Sequence, residues 1–156
     1  MPNVNSNTRG QHDWDDNLQL VMGAGYSEKE FDSDPSAYCN EECREDFANY
    51  EPNTRMILSI NHTWGPMALM LRGSYWGESE NWNSGNTQVH NPLWMTDAEL
   101  IYMGDEITLS FGARNLFDEY PAPGTVGDTC CGRVYESASV IPWSGGHYFI
   151  KAKRDF

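Results

Sequence analysis

Asp97 and Glu99 stand two residues apart, which on a β-strand puts both carboxyl groups on one face, as the acid and base of a hydrolase require. On a strand that lines a polar lumen, the same pair is simply two hydrated side chains, and this is the reading adopted here. The stretch His12 to Asp16, HDWDD, has the acidic look of a calcium loop but lacks its glycine and distal glutamate, so it is read as a polar turn. Cys39 and Cys43 lie in one acidic, turn-rich segment and the adjacent Cys130 and Cys131 in another. Loop disulfides in an oxidising compartment are expected, with Cys39 paired to Cys43 because of their short spacing, although four cysteines allow three connectivities. Zinc is the rival reading, but the paired C-x2-C spacing of a zinc site is missing and the four histidines are scattered. There is no G-x-S-x-G, H-E-x-x-H or phosphate-binding glycine loop, so the chain is expected to be no enzyme and to hold no cofactor or metal.

Two further sets of side chains concern binding. Arg55, Arg72 and Arg114 each fall on the polar side of an alternating run, where they are expected to pair with carboxylates in a lumen; the sharper reading has them touching an anionic substrate. Trp82, Tyr120, Tyr135 and Trp143 lie in long connections with acidic neighbours and are the candidate substrate-facing residues, because binding surfaces concentrate on loops held by rigid strands. The formal net charge of −13, with only ten Lys and Arg, excludes a nucleic-acid partner.

These side chains are positioned by a period-two alternation that recurs six times, near 17–26, 54–64, 67–77, 94–103, 106–116 and 147–156. In the second run Met56, Leu58, Ile60 and Trp64 oppose Arg55, Ser59, Asn61 and Thr63; in the fifth Ile107, Leu109, Phe111 and Ala113 oppose Glu106, Thr108, Ser110 and Arg114. Ile57, Phe149 and Arg154 break the parity. Connections alternate between long (27–53, 77–93, 117–146) and tight (Gly65-Pro66, Gly104-Asp105), the pattern of an up-and-down antiparallel sheet. The long connections hold 15 of the 23 acidic residues but only Lys29, Arg44 and Arg133 among the basic ones.

A run of ten residues, tilted, spans about 25 Å, the height of the apolar band of an outer-membrane barrel. Aromatics sit where strands would cross the two interfaces: Tyr26, Tyr75, Trp94 and Tyr148 at the long-loop ends, Trp64, Tyr102 and Phe156 at the tight-turn ends. No apolar run is long enough for a transmembrane helix, and Met1 to Asn17 has no apolar core of a secretory signal. The expected fold is all-β: about six antiparallel transmembrane strands.

Phe111 to Pro121, FGARNLFDEYP, resembles the penultimate strand of TonB-dependent outer-membrane receptors, where an Asn-Leu-Phe-Asp segment opens the last extracellular loop. The ending GGHYFIKAKRDF is similar to that family's last strand, and Asn53 to Glu78 to its late hairpin that turns at Gly-Pro and ends Tyr-x-Gly-Glu. The resemblance implies the C-terminal portion of a barrel of about 22 strands, with the N-terminal plug absent and Met1 an internal residue or misplaced start. It further implies a Gram-negative outer membrane, lipid contact, and uptake of a bulky small molecule or glycan, such as a ferric siderophore or cobalamin. The TonB complex would be a partner through the missing N-terminal region. An isolated piece of this kind is expected not to fold as a stable monomer, since its edge strands lack partners. A secreted β-sandwich or lectin-like binding module is the alternative from another class, and a barrel enzyme the third.

Overall fold

The computed structural model describes residues 16–83, 86–124, 132–135 and 141–154. Six strands form one antiparallel sheet: β1 (Asn17–Tyr26), β2 (Thr54–Trp64), β3 (Met67–Trp76), β6 (Leu93–Met103), β7 (Ile107–Arg114) and β8 (His147–Arg154), in the spatial order β1-β2-β3-β6-β7-β8. Between β3 and β6 the chain adds β4 (Ser79–Asn83) and β5 (Asn86–His90), a separate two-stranded sheet, and between β1 and β2 a helix, α1 (Glu41–Asn49). The architecture is therefore all-β with one short helix, and the large sheet is open, with β1 and β8 as its edges.

Register follows from the turns. Gly65, at φ 49°, takes the left-handed conformation that a two-residue connection needs, and this sets Trp64 opposite Met67. Across the sheet the pairs Leu20–Ile60, Ile60–Leu71 and Leu71–Ala98 share one face, as do Leu69–Leu100, Leu100–Phe111 and Phe111–Ile150. Because residues directly opposite each other point the same way, every apolar set joins into a single continuous apolar face. That face is uncovered: Leu18, Met22, Tyr148 and Ile150 are each more than 60 % exposed. α1 packs on β4, and neither they nor β5 lie over the six-stranded sheet. Among the described residues the buried hydrophobic side chains are Cys39, Met95, Ala113 and Ile141, a set far too small to be the core of a two-layer domain.

Two of the side chains that break the alternation have a steric explanation. Ile57 pairs with Gly23, and a Cβ at Gly23 would come within 3.1 Å of the Ile57 Cγ2 atom. Phe149 pairs with Gly112 and lays its ring on the space a side chain there would need, while the Lys151 ammonium sits 4.2 Å from the ring centre. A large residue on the polar face is thus matched by a glycine on the neighbouring strand.

Within the long connections, 27–53 carries α1 and 77–93 carries the β4–β5 hairpin. α1 begins where the Asn40 side chain accepts a hydrogen bond from the Cys43 N–H at 2.9 Å, with Glu41 and Glu42 in its first turn facing the positive end of the helix dipole. It buries none of its residues. Cys130, Cys131, Asp155, Phe156 and His12 to Asp15 lie outside the described residues.

Candidate functional site

The sheet's second face carries its polar chemistry. Arg55, Arg72, Arg114, Lys151 and Lys153 occupy it with Asp97 and Glu99, so cations outnumber carboxylates on the strands although the whole chain is strongly acidic. Arg72 lies directly opposite Asp97 and Arg114 directly opposite His147, which makes one cross-strand row. Within it Arg114 Nη1 donates to Asp97 Oδ2 at 3.0 Å, and the Asn115 N–H donates to Asp97 Oδ1 at 3.0 Å. Arg72 Nε is buried with no hydrogen-bond partner among the described residues. One strand position further on, Lys151 Nζ donates to Glu99 Oε1 at 3.2 Å. Asp97 and Glu99 are thus each taken up in an ion pair, with Arg114 of β7 and with Lys151 of β8.

At the long-loop end of this face the Asn115-Leu116-Phe117-Asp118 segment closes a knot of hydrogen bonds. Asn115 and Asp118 both adopt positive φ, 50° and 58°. The buried Asn115 side chain donates to the Glu119 carbonyl at 2.7 Å and accepts from the Glu119 N–H at 2.9 Å. Asp118 Oδ1 accepts from the Gly146 N–H at 2.6 Å and from the Tyr120 hydroxyl at 3.0 Å, while the Tyr148 hydroxyl donates to the Leu116 carbonyl at 3.0 Å. The Leu116 N–H reaches back to the Thr96 carbonyl at 2.6 Å. The segment therefore ties the end of β7 to β6 and to the start of β8, and fixes both ends of the 117–146 connection. Gly145, at φ 71°, lets the chain pass so close to the Tyr120 hydroxyl that a Cβ would collide with it.

Of the four loop aromatics, Tyr120 and Tyr135 come together, their rings stacked at 5.6 Å and nearly parallel. The hydrogen bond to Asp118 raises the Tyr120 phenol above its ordinary value, helped by partial burial and by the Asp118 charge. Trp82 stands apart on β4, where its backbone N–H donates to Asp46 Oδ1 at 2.7 Å, joining the hairpin to α1, while its indole N–H has no hydrogen-bond partner among the described residues. Trp143 is half exposed beside the Pro142 to Gly145 stretch.

Compared with known proteins, the chain matches no family model, no curated protein and no solved structure.

The 27–53 connection is held by several small devices. Cys39 and Cys43 form a disulfide with Cα atoms 5.4 Å apart, which staples the residue before the N-cap to the first turn of α1. Lys29 Nζ pairs with Glu51 Oε2 at 3.0 Å across the base of the connection, and Phe31 meets Phe47 at 4.4 Å. Closing so short a loop restricts the open chain by about 2 kcal/mol. Cys39→Ser is accordingly expected to increase amide exchange at Cys43 and Arg44 several-fold and to leave exchange in β2 and β3 unchanged. Deuterium exchange read by mass spectrometry checks this.

Glu51 is held below its ordinary value of 4.5, first by the hydrogen bond from Lys29 and then by the Lys29 charge. A carboxylate whose folded value is depressed contributes above its unfolded value, and the contribution is lost as pH falls through the folded one. Lowering the pH from 6 to 3 should open this clamp, seen as a lower protection factor, the exchange rate relative to that of the unfolded chain at the same pH, at Ser27, whose N–H donates to the Asn53 carbonyl at 2.9 Å. Glu51→Gln should show the lower protection already at pH 6.

Proposed function

We propose that this chain forms C-terminal strands of an outer-membrane barrel of the TonB-dependent receptor kind, which takes up a bulky small molecule or glycan. It would contribute wall, lumen lining and outer loops, while the TonB complex engages an N-terminal region outside these strands. The observation that supports this reading is the uncovered, mainly apolar face shared by all six strands, interrupted by His62 and Arg154 toward the tight-turn end and backed by a face of ion pairs. A soluble sheet must cover such a face with a second layer, whereas lipid satisfies it directly.

Other features agree. Tyr75 and Trp94 pair across β3 and β6 with ring centres 5.1 Å apart at the long-loop rim, and Trp64 and Tyr102 lie on the apolar face at the opposite rim, the two levels at which amphipathic rings settle in a bilayer. The unpaired edges of β1 and β8 would cost several kcal/mol per backbone group in hydrocarbon, so membrane residence calls for further strands on both sides. A β-sandwich would need a second sheet over the apolar face; the β4–β5 pair does not occupy that place.

Tryptophan quenching by spin-labelled lipids tests the reading. In variants that keep one tryptophan each, Trp64 and Trp94 should be quenched by labels near the headgroups, and Trp82 and Trp143 should be untouched. A chain that stays folded in water without detergent, with none of the four quenched in vesicles, would overturn the membrane assignment.

A further inference from the structure

On the polar face, at its long-loop end, a cleft of about 230 Å³ opens between the strands and the Pro142 to Gly145 stretch. Trp76 and Met95 give it apolar surface, Ser74 and Ser144 supply small polar residues, and Arg114, ion-paired with Asp97 in the same lining, stands beside His147. The cross-strand row beside it is short of negative charge, since Asp97 has both oxygens engaged by Arg114 and the Asn115 N–H, while Arg72 has a buried Nε without a partner. Arg114 uses Nη1 on Asp97 and its side chain is still 47 % exposed, so the fork keeps donors for a second carboxylate.

We infer that this cleft binds the terminal sugar acid of a larger ligand. Its ring would lie on the Trp76 side, its hydroxyls meet Ser74 and Ser144, and its carboxylate meet Arg114 beside His147. The volume is below the roughly 300–1,000 Å³ of pockets that enclose a drug-sized molecule, so it accommodates one end group and not a whole bulky solute. An apolar wall with a few converging polar groups is the common make-up of such sites. The acidic outer connections disfavour a polyanion, which restricts the ligand to one bearing few carboxylates. This inference rests on the reading of the polar face as a hydrated lumen, and it names the class of solute that face would meet.

The test is calorimetric titration with glucuronate, with methyl glucoside as the neutral control, of a detergent-micelle preparation in which protected amides in β3, β6 and β7 show the sheet formed. Saturable glucuronate binding, at least about ten-fold tighter than the neutral sugar and weakened about ten-fold or more by Arg114→Gln, is expected from the loss of a charge-assisted pair. Ser144→Phe fills the cleft from the exposed connection without altering a strand, and should abolish binding even if Arg114→Gln disturbs the sheet. No saturable binding, equal binding of both sugars, or binding unaffected by Ser144→Phe would overturn the site. Lipid quenching of Trp94, measured in parallel on the variant that keeps only that tryptophan in vesicles, separates the outcomes: quenching without binding sinks only the sugar-acid site, whereas absent quenching sinks the membrane reading.

Discussion

Phe111→Arg should destabilise the protein in lipid vesicles by about 2–4 kcal/mol, the cost of placing a guanidinium near the middle of a bilayer on the lipid face of a barrel strand. Phe111 lies within β7, directly opposite Leu100 on one side and Ile150 on the other, and is 50 % exposed. In water a residue this exposed would tolerate arginine to within about 0.5 kcal/mol. Two environments therefore give well-separated answers for one substitution. Urea unfolding in phosphatidylcholine vesicles, followed by tryptophan emission, reads the difference, and a Thr108→Arg change on the polar face of the same strand serves as the control with little effect.

Asn115→Ala should cost about 2–4 kcal/mol, because it removes both hydrogen bonds to Glu119 from a buried position and leaves the backbone groups there to find other partners. Alanine also resists the positive φ that Asn115 adopts. Asn115→Gly separates the two causes: it removes the amide but accepts the backbone conformation, so it should recover only the conformational part, about 1 kcal/mol. The loss is expected as a lower unfolding midpoint together with faster proteolysis between Phe117 and Gly146. A variant as stable and as protease-resistant as the parent would mean that the knot at Asn115 does not hold that connection.

The six long strands were legible because alternation, aromatic ends and turn residues all mark the same boundaries, and the strands lie within two residues of the alternating runs. The smaller elements were not, and each has a physical reason. α1 has no apolar stripe to betray it, being held by a cap, a disulfide and its contact with β4. Its one local signal was Asn40 followed by two glutamates, a plausible helix start without the apolar period that usually follows. β4 and β5 are five residues each and mostly polar, and the Ser-Gly between Asn83 and Asn86 was the available hint of a hairpin.

The candidate site was readable only in part. The polar parity of Arg72, Asp97 and Arg114 follows from alternation, but which of them touch depends on strand register. The role of Asn115 and Asp118 depends on partners as far along the chain as Gly146. Loop aromatics, by contrast, divided into two groups that sequence cannot distinguish: Tyr120 with Tyr135, and Trp82 with α1.

An even number of strands has a consequence for handling the molecule. Asn17, where β1 begins, pairs with Thr63 beside the tight Gly65-Pro66 turn, and Arg154, where β8 finishes, pairs with Ile107 beside the Gly104 turn. The chain thus enters and leaves the sheet on one and the same side, opposite the helix, the hairpin and the sugar-acid cleft. A reporter inserted directly beside Asn17 or Arg154 would sit with the short turns and leave the elaborated side unobstructed, so antibodies or proteases applied from each side of a sealed vesicle would read orientation independently of binding.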